Sequence, residues 1–317
     1  MGYRIAPRTM LAAAAMLLAG CATVAAQSQP APAALQTAEQ PELIATILGS
    51  GSPEYRTERA NASVLIRYGD TRILVDMGNG AQARLHQAQV PEETLDGLFF
   101  THQHLDHNEE FVPIFIHALL GGRKFMVAGP TPMEAILAST LANYDADIRY
   151  RLGRIGKTME DAEKDYTLTE LKGGEDFTIG GIRVRTIRVN HSIYTVALRF
   201  DAGGRSIVIS GDLVYSESLP VLARDADYLI IDSGGVIKKD GRTGPPGAPG
   251  GLRNARAHVT LDETGRMAKE ANVKALVLTH FVPGENDEAA TTAVLRRYFA
   301  GPVLFAHDLM EIPAREP

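Results

Sequence analysis

Seven consecutive residues, Thr101-His102-Gln103-His104-Leu105-Asp106-His107, hold three imidazoles and a carboxylate. Imidazole and carboxylate are the usual ligands of zinc and other borderline metals. The run just before them, Leu98-Phe99-Phe100, is apolar enough for a buried strand, so the candidate ligands sit where a strand ends. Alternate residues of an extended chain point to one side, which lets His102 and His104 share one ion. Asp106 and His107 then turn toward a second. His-rich loops can be plain polar surface, but HxHxDH directly behind an apolar strand argues for metal.

Three further donors repeat the pattern of a polar residue closing an apolar run. His191 follows Ile187-Arg188-Val189-Asn190, Asp212 follows Ile207-Val208-Ile209-Ser210-Gly211, and His280 follows Leu276-Val277-Leu278-Thr279. Each has a dull explanation when taken alone: a lone histidine at the surface, or a Ser-Gly-Asp turn. Beside the HxHxDH run, together they read as one site. Asp76 also ends a strand candidate and is followed by Met77-Gly78-Asn79-Gly80. His86, His117 and His307 lack such a context and read as structural or surface residues.

The elements that must position these groups can be read from periodicity and turn signals. Strands are expected at Leu43–Leu48, at Ser63–Tyr68 and Arg72–Asp76 (a hairpin through Gly69-Asp70), at Leu98–Thr101 and at Lys124–Ala128. Hairpins follow around Gly180-Gly181 and Gly203-Gly204, then strands at Tyr228–Asp232, Lys274–Thr279 and Val303–Ala306. Helices are expected at Ala81–Gln89, Asn108–Leu120, Thr131–Asn143, Thr260–Ala271 and Asp287–Phe299. Thr260 and Glu263 are spaced as a capping box. Asp145–Asp165 is charged and gives no clear element. Gly49-Ser50-Gly51-Ser52-Pro53 reads equally as a tight turn or a phosphate-type loop. Strands and helices alternate in two similar groups, which implies two α/β halves with sheets inside and helices outside.

Composition sets the outer limits. The chain has 317 residues, 45% hydrophobic and 22% charged, which suits a globular protein with a sizeable core. Its net charge of −6 argues against a general nucleic-acid binder. Cys21 is the single cysteine, so intramolecular disulfides and multi-thiolate zinc sites are excluded. That cysteine lies behind a basic start (Arg4, Arg8), an apolar stretch from Met10 to Ala19 that is short for a bilayer span, and Leu18-Ala19-Gly20. The sequence resembles a bacterial lipobox. Residues 1–21 are therefore expected to be a signal peptide with Cys21 lipidated. The alternative is cleavage after Val24-Ala25-Ala26 and a soluble periplasmic or secreted protein. Residues 22–41, rich in Ala, Gln and Pro, read as a disordered tether, and 42–317 as the catalytic domain. The expected location is the periplasmic face of the cell envelope, with membrane contact only through the lipid.

The motifs together resemble the metallo-β-lactamase superfamily, and within it the ribonuclease Z and arylsulfatase-like branch. The resemblance spans most of residues 43 to 312. It rests on Asp76, the THxHxDH run, His191, Ser210-Gly211-Asp212 and Thr279-His280, with weaker support from residues 48–53 and Asp308-Leu309-Met310. It implies a four-layer αββα sandwich with two zinc ions at the sheet edge. His102, His104 and His191 would hold the first ion; Asp106, His107 and His280 the second; Asp212 would bridge them. Asp76 would support the ligands through hydrogen bonds. The paired ions would activate a shared water to attack an ester, with Asp106 orienting it. His258, ahead of the Thr260 helix, resembles the histidine that protonates the leaving group.

The substrate is less legible. Lys238, Lys239, Arg242, Arg253 and Arg256 against Asp240 could steer a small anionic ester, so an aryl sulfate or phosphodiester is the leading expectation. Transfer-RNA processing is opposed by export and by the net charge, and no nucleic-acid partner is expected. A lactonase, a β-lactamase and a cyclic-nucleotide phosphodiesterase are alternatives. So is a non-enzymatic lipoprotein that only binds metal or ligand.

Overall fold

The computed structural model describes residues 41–233, 236–243, 257–281 and 286–313. The leader with Cys21, residues 22–40 of the 22–41 tether, and Arg253 and Arg256 of the glycine-rich loop lie outside the described residues.

Six strands, β1 (Ile44–Gly49), β2 (Ser63–Tyr68), β3 (Thr71–Val75), β4 (Gly97–Phe99), β5 (Phe125–Pro130) and β6 (Tyr166–Leu171), come from the first half. Seven more follow: β7 (Asp176–Ile179), β8 (Ile182–Val189), β9 (Thr195–Ala202), β10 (Arg205–Ile209), β11 (Tyr228–Asp232), β12 (Ala275–Thr279) and β13 (Val303–Phe305). The last, β14 (Met310–Ile312), returns to the first half. The sheets run β14-β1-β2-β3-β4-β5-β6 and β13-β12-β11-β10-β9-β8-β7. Both are mixed, with parallel pairing where helices intervene and antiparallel pairing at the tight hairpins. The turns at Gly180-Gly181 and Gly203-Gly204 need positive φ at both positions, and glycine supplies it.

The helices are α1 (Ala81–Gln87), α2 (Leu105–Asn108), α3 (Phe111–Leu120), α4 (Met133–Asn143), α5 (Asp145–Arg154), α6 (Met159–Ala162), α7 (Ser218–Leu222), α8 (Leu261–Ala271) and α9 (Glu288–Leu295). One core packs helices of the first half on the outer face of its sheet, through Leu74, Leu98, Phe111 and Phe115. A second does the same in the other half, through Leu229, Leu276, Met267 and Leu295. Between the sheets lies a third, with Ile66, Val75, Phe99, Phe200, Ile207 and Val277. The central strands β1, β3, β4, β10, β11 and β12 thus bury both faces, which is why their sequences are nearly continuous apolar runs, whereas β7 and β8 toward the sheet edge alternate more buried with more exposed residues. The result is the expected αββα sandwich.

The structure refines the sequence reading in three places and bears it out in a fourth. The helix expected at Asn108–Leu120 is broken into α2 and α3. The backbone of Met77 donates to the His107 carbonyl at 2.6 Å and accepts from Glu110 N at 2.8 Å, which interrupts the helical ladder. Asp145–Asp165 is helical: Asp145 pairs with Arg149 and Asp147 with Arg151 at i,i+4, while Ile148 and Leu152 are buried below. The strands β6 and β14 had no sequence signal of their own; each is an edge strand defined by pairing. The capping box of Thr260 and Glu263 forms as its spacing implies.

Candidate metal centre

Strands β3, β4, β8, β10, β11 and β12 all end at one edge of the sandwich, and each delivers a polar residue there. Open α/β sheets bind ligands just beyond the carboxyl ends of their strands, because the helices cover the faces.

His102 Nε2 lies 3.0 Å from His104 Nδ1, and His191 Nε2 lies 3.2 Å from the same atom. The Asp212 carboxylate stands 3.9 Å from His102 Nε2 and 4.0 Å from His191 Nε2. On its other side it is 3.4 Å from both His107 Nε2 and His280 Nε2. Asp106 Oδ2 completes that second group, 3.1 Å from His280 Nε2 and 3.7 Å from His107 Nε2. The seven residues expected as ligands are therefore together, in two groups that meet at Asp212.

The tautomers follow from the outer partners. Asp76 accepts from the Thr101 backbone N–H and hydroxyl, both at 2.8 Å. The Thr101 hydroxyl, having donated to Asp76, accepts from His102 Nδ1 at 3.0 Å. Asp76 also accepts from His107 Nδ1 at 2.9 Å, and the Ala257 carbonyl accepts from His191 Nδ1 at 2.9 Å. In His102 and His191 the proton sits on the outer nitrogen, and the inner nitrogen presents a lone pair. Asp76 thus hydrogen-bonds to both Thr101 and His107.

Two residues of the centre sit on backbone that non-glycine residues rarely adopt: Asp76 at φ 59° and His280 at φ 60°. His280 is held by its N–H to the Ser50 carbonyl at 3.1 Å. Gly49 and Gly51 exist for close approach, since a Cβ on Gly49 would lie 1.7 Å from the Asn61 carbonyl oxygen. The 49–53 loop is therefore a packed turn that props His280. Gly211, at φ 62°, brings its Cα against Thr101 and so aims Asp212 between the sheets.

Burial holds His102, His104 and His191 below the ordinary histidine range, so they are neutral, the form that binds metal. Burial opposes charge on His280 too, but Asp212, the bond to Asp106 and Asp232 outweigh it and raise it to about 9. His107 Nε2 is buried without a hydrogen-bond partner. An orphaned buried imidazole nitrogen is costly, and a cation beside Asp106 and Asp212 would satisfy it. The donor set fits two divalent ions.

His258 lies on the same edge. Its Nδ1 donates to Asp232 Oδ2 at 2.7 Å, and its ring centroid is 5.2 Å from that of His280. Burial lowers its affinity for a proton, but Asp232, by bond and charge, and Asp212 reverse this and raise its pKa. Asp232 and Thr101 are the functional residues that sequence reasoning missed. Asp232 carried the same signal as the others, a polar residue closing the apolar run Tyr228-Leu229-Ile230-Ile231. Ser192, whose hydroxyl is 3.3 Å from His104 Nε2, carried none. His86 and His117 lie elsewhere, flanking Glu92 at 3.4 and 3.5 Å.

Residues 71–281 match the family model described as the beta-lactamase superfamily domain, and the chain belongs to that superfamily of metal-dependent hydrolases. A ribonuclease Z of Mycobacterium bovis is 28% identical over 277 residues, covering 84% of this chain and 96% of its own length. Among solved structures, the metallo-beta-lactamase fold protein YhfI of Bacillus subtilis aligns with TM-score 0.65 at 21% identity, over 86% of this chain and 99% of its own. The short form of human tRNase Z aligns with TM-score 0.63 at 20% identity, over 86% of this chain and all of its own.

These relatives correct one expectation. Excluding nucleic acid as a partner does not stand, because the proteins similar over most of this chain are named for cleaving RNA. Net charge sums the whole molecule and says little about the field at one cleft, so −6 never carried that exclusion.

Proposed function

We propose that this chain is a phosphodiester hydrolase working with two divalent metals, zinc by the chemistry of the donors. The observation that carries the reading is Asp212, whose carboxylate lies within 3.4–4.0 Å of four imidazoles from both sheets. Similarity to ribonuclease Z enzymes along 84% of the chain favours phosphorus over sulfur as the attacked centre. His102, His104 and His191 would hold one metal and Asp106, His107 and His280 the other, with Asp212 placed between the two groups. Bound in pairs, such ions supply Lewis acidity and a nucleophile at neutral pH. Asp106 orients the attacking group. His258, protonated and aimed by Asp232, gives its Nε2 proton to the departing oxygen. Asp76 fixes two imidazoles and the turn that carries them.

The test is metal analysis with a side-by-side panel: bis-p-nitrophenyl phosphate, an RNA oligonucleotide, an aryl sulfate, a lactone and a chromogenic cephalosporin. The diesters should dominate; a dominant rate with the cephalosporin or the sulfate would overturn the choice of bond. His104→Ala and Asp212→Ala should each lose metal and nearly all turnover. Full activity with normal metal in either variant would refute the assignment.

Export and lipidation at Cys21 belong to the same proposal, supported by Arg4, Arg8 and the Leu18-Ala19-Gly20-Cys21 run. Fatty-acid labelling in the native host checks it, and an unlabelled wild type would sink it.

A further inference from the structure

Two large apolar side chains stand in solvent beside the metal centre. Leu105, between His104 and Asp106, is 69% exposed, and Ile193, two residues after His191, is 38% exposed. Single exposed aliphatics are ordinary, but the positions of these are not independent. The His104 and His191 rings are 4.9 Å apart, and the hydroxyl of Ser192 touches His104 Nε2 at 3.3 Å. Leu105 and Ile193 are thus the immediate chain neighbours of two groups in contact. They come from different sheets: Leu105 begins α2 behind β4, and Ile193 lies in the turn from β8 to β9. Every other side chain from His102 to His107 is engaged with the site or hydrogen-bonded to a neighbour. Leu105 is the one apolar side chain of that run, and most of it stands in solvent.

We propose that Leu105 and Ile193 form an apolar lip that receives the organic group of the substrate next to its reacting anionic centre. The preferred esters then carry an aryl or bulky alkyl group there rather than a small or charged one. This rests on the hydrolase reading above and adds the class of substituent to it. Apolar area covered at the lip stabilises the bound state roughly in proportion to its size, about tenfold in affinity for a partly covered ring.

Binding separates the inference from the activity. Phenylphosphonate and methylphosphonate share a head group and differ only in the apolar part. Calorimetric titration of the metal-loaded protein, at a pH where both are dianions, should find the phenyl compound about tenfold tighter. Leu105→Ser and Ile193→Ser should each shrink that ratio about threefold, and the double variant should bring it near one. Val221→Ser, at an exposed aliphatic on α7, should leave the ratio unchanged. Equal affinities in the wild type, failure of both anions to bind, or an undiminished ratio in the double variant would each overturn the lip. Failure to hydrolyse any diester would instead count against the proposed function.

Discussion

Each imidazole of the centre is set by a partner on its far side. The Asp76–Thr101–His102 and Asp76–His107 bonds put one carboxylate in charge of two rings and of the strand end between them. Asp232 plays the corresponding part in the other sheet, bonded to His258 and 3.7 Å from His280 Nδ1. Substituting such supports normally costs ten- to a hundredfold in metal affinity or activity. For His258→Ala the expectation is sharper: about a hundredfold or greater loss of kcat with metal content retained. The loss should shrink as the leaving phenol becomes more acidic, because a good leaving group needs no proton. A kcat series over phenols of graded acidity reads this directly, and a uniform loss across the series would remove His258 from proton transfer.

Among the secondary-structure elements, precision at the centre comes from glycines that let backbones touch. A Cβ on Gly78 would lie 2.1 Å from the Asp106 carbonyl oxygen and 2.7 Å from Asn61 Cβ. Gly78→Ala must therefore push α2 outward, taking Asp106 and His107 with it. Overpacking of this kind destabilises by about 1–3 kcal/mol. The expected result is a lowered Tm and loss of one of the two metal equivalents, measured by plasma mass spectrometry. Two equivalents and an unchanged Tm would show that the β3–α1 turn can yield without moving the ligands. By contrast, nothing lies within 4 Å of a Cβ on Gly204; alanine there meets only the backbone cost of φ 77°, about 1–2 kcal/mol.

On the scale of the whole molecule, the first and last described strands, β1 and β14, pair at one edge of a sheet. Asp308 accepts from Ser50 Oγ at 2.7 Å, Ala60 N at 2.8 Å and Arg84 Nε at 2.8 Å. Arg59 donates to Ser50 Oγ and to the Ala306 carbonyl, and its guanidinium lies over Phe281, 4.5 Å from the ring centroid. Burial lowers the pKa of Arg59, and Asp308 opposes that. Removing the carboxylate leaves a buried cation uncompensated, so Asp308→Ala should cost about 3–5 kcal/mol, read from the urea midpoint. It should also loosen Ser50, whose carbonyl fixes His280, and so weaken the second metal more than the first. Equal affinity for both ions would separate the network from the site.

The sequence by itself determined the donors, most strands and the fold class, because buried strands must be apolar and a polar residue that ends one stands out against them. HxHxDH, His191, Asp212 and His280 were all visible that way, and Asp232 was visible by the same rule though not read. Edge strands β6 and β14 were not, since their hydrogen bonds come from partners distant in sequence. Nor was the break between α2 and α3, which depends on the Met77 backbone. Only the tertiary structure decided that Asp212 stands between the two histidine groups, that the glycine-rich turn props His280, and that Asp308 locks that turn. Each of these depends on distances between residues dozens to hundreds of positions apart, and local propensity carries no record of such distances. The exposure of Leu105 belongs with them: the one apolar residue of its motif reads in sequence as a buried one, and packing alone shows that it faces solvent.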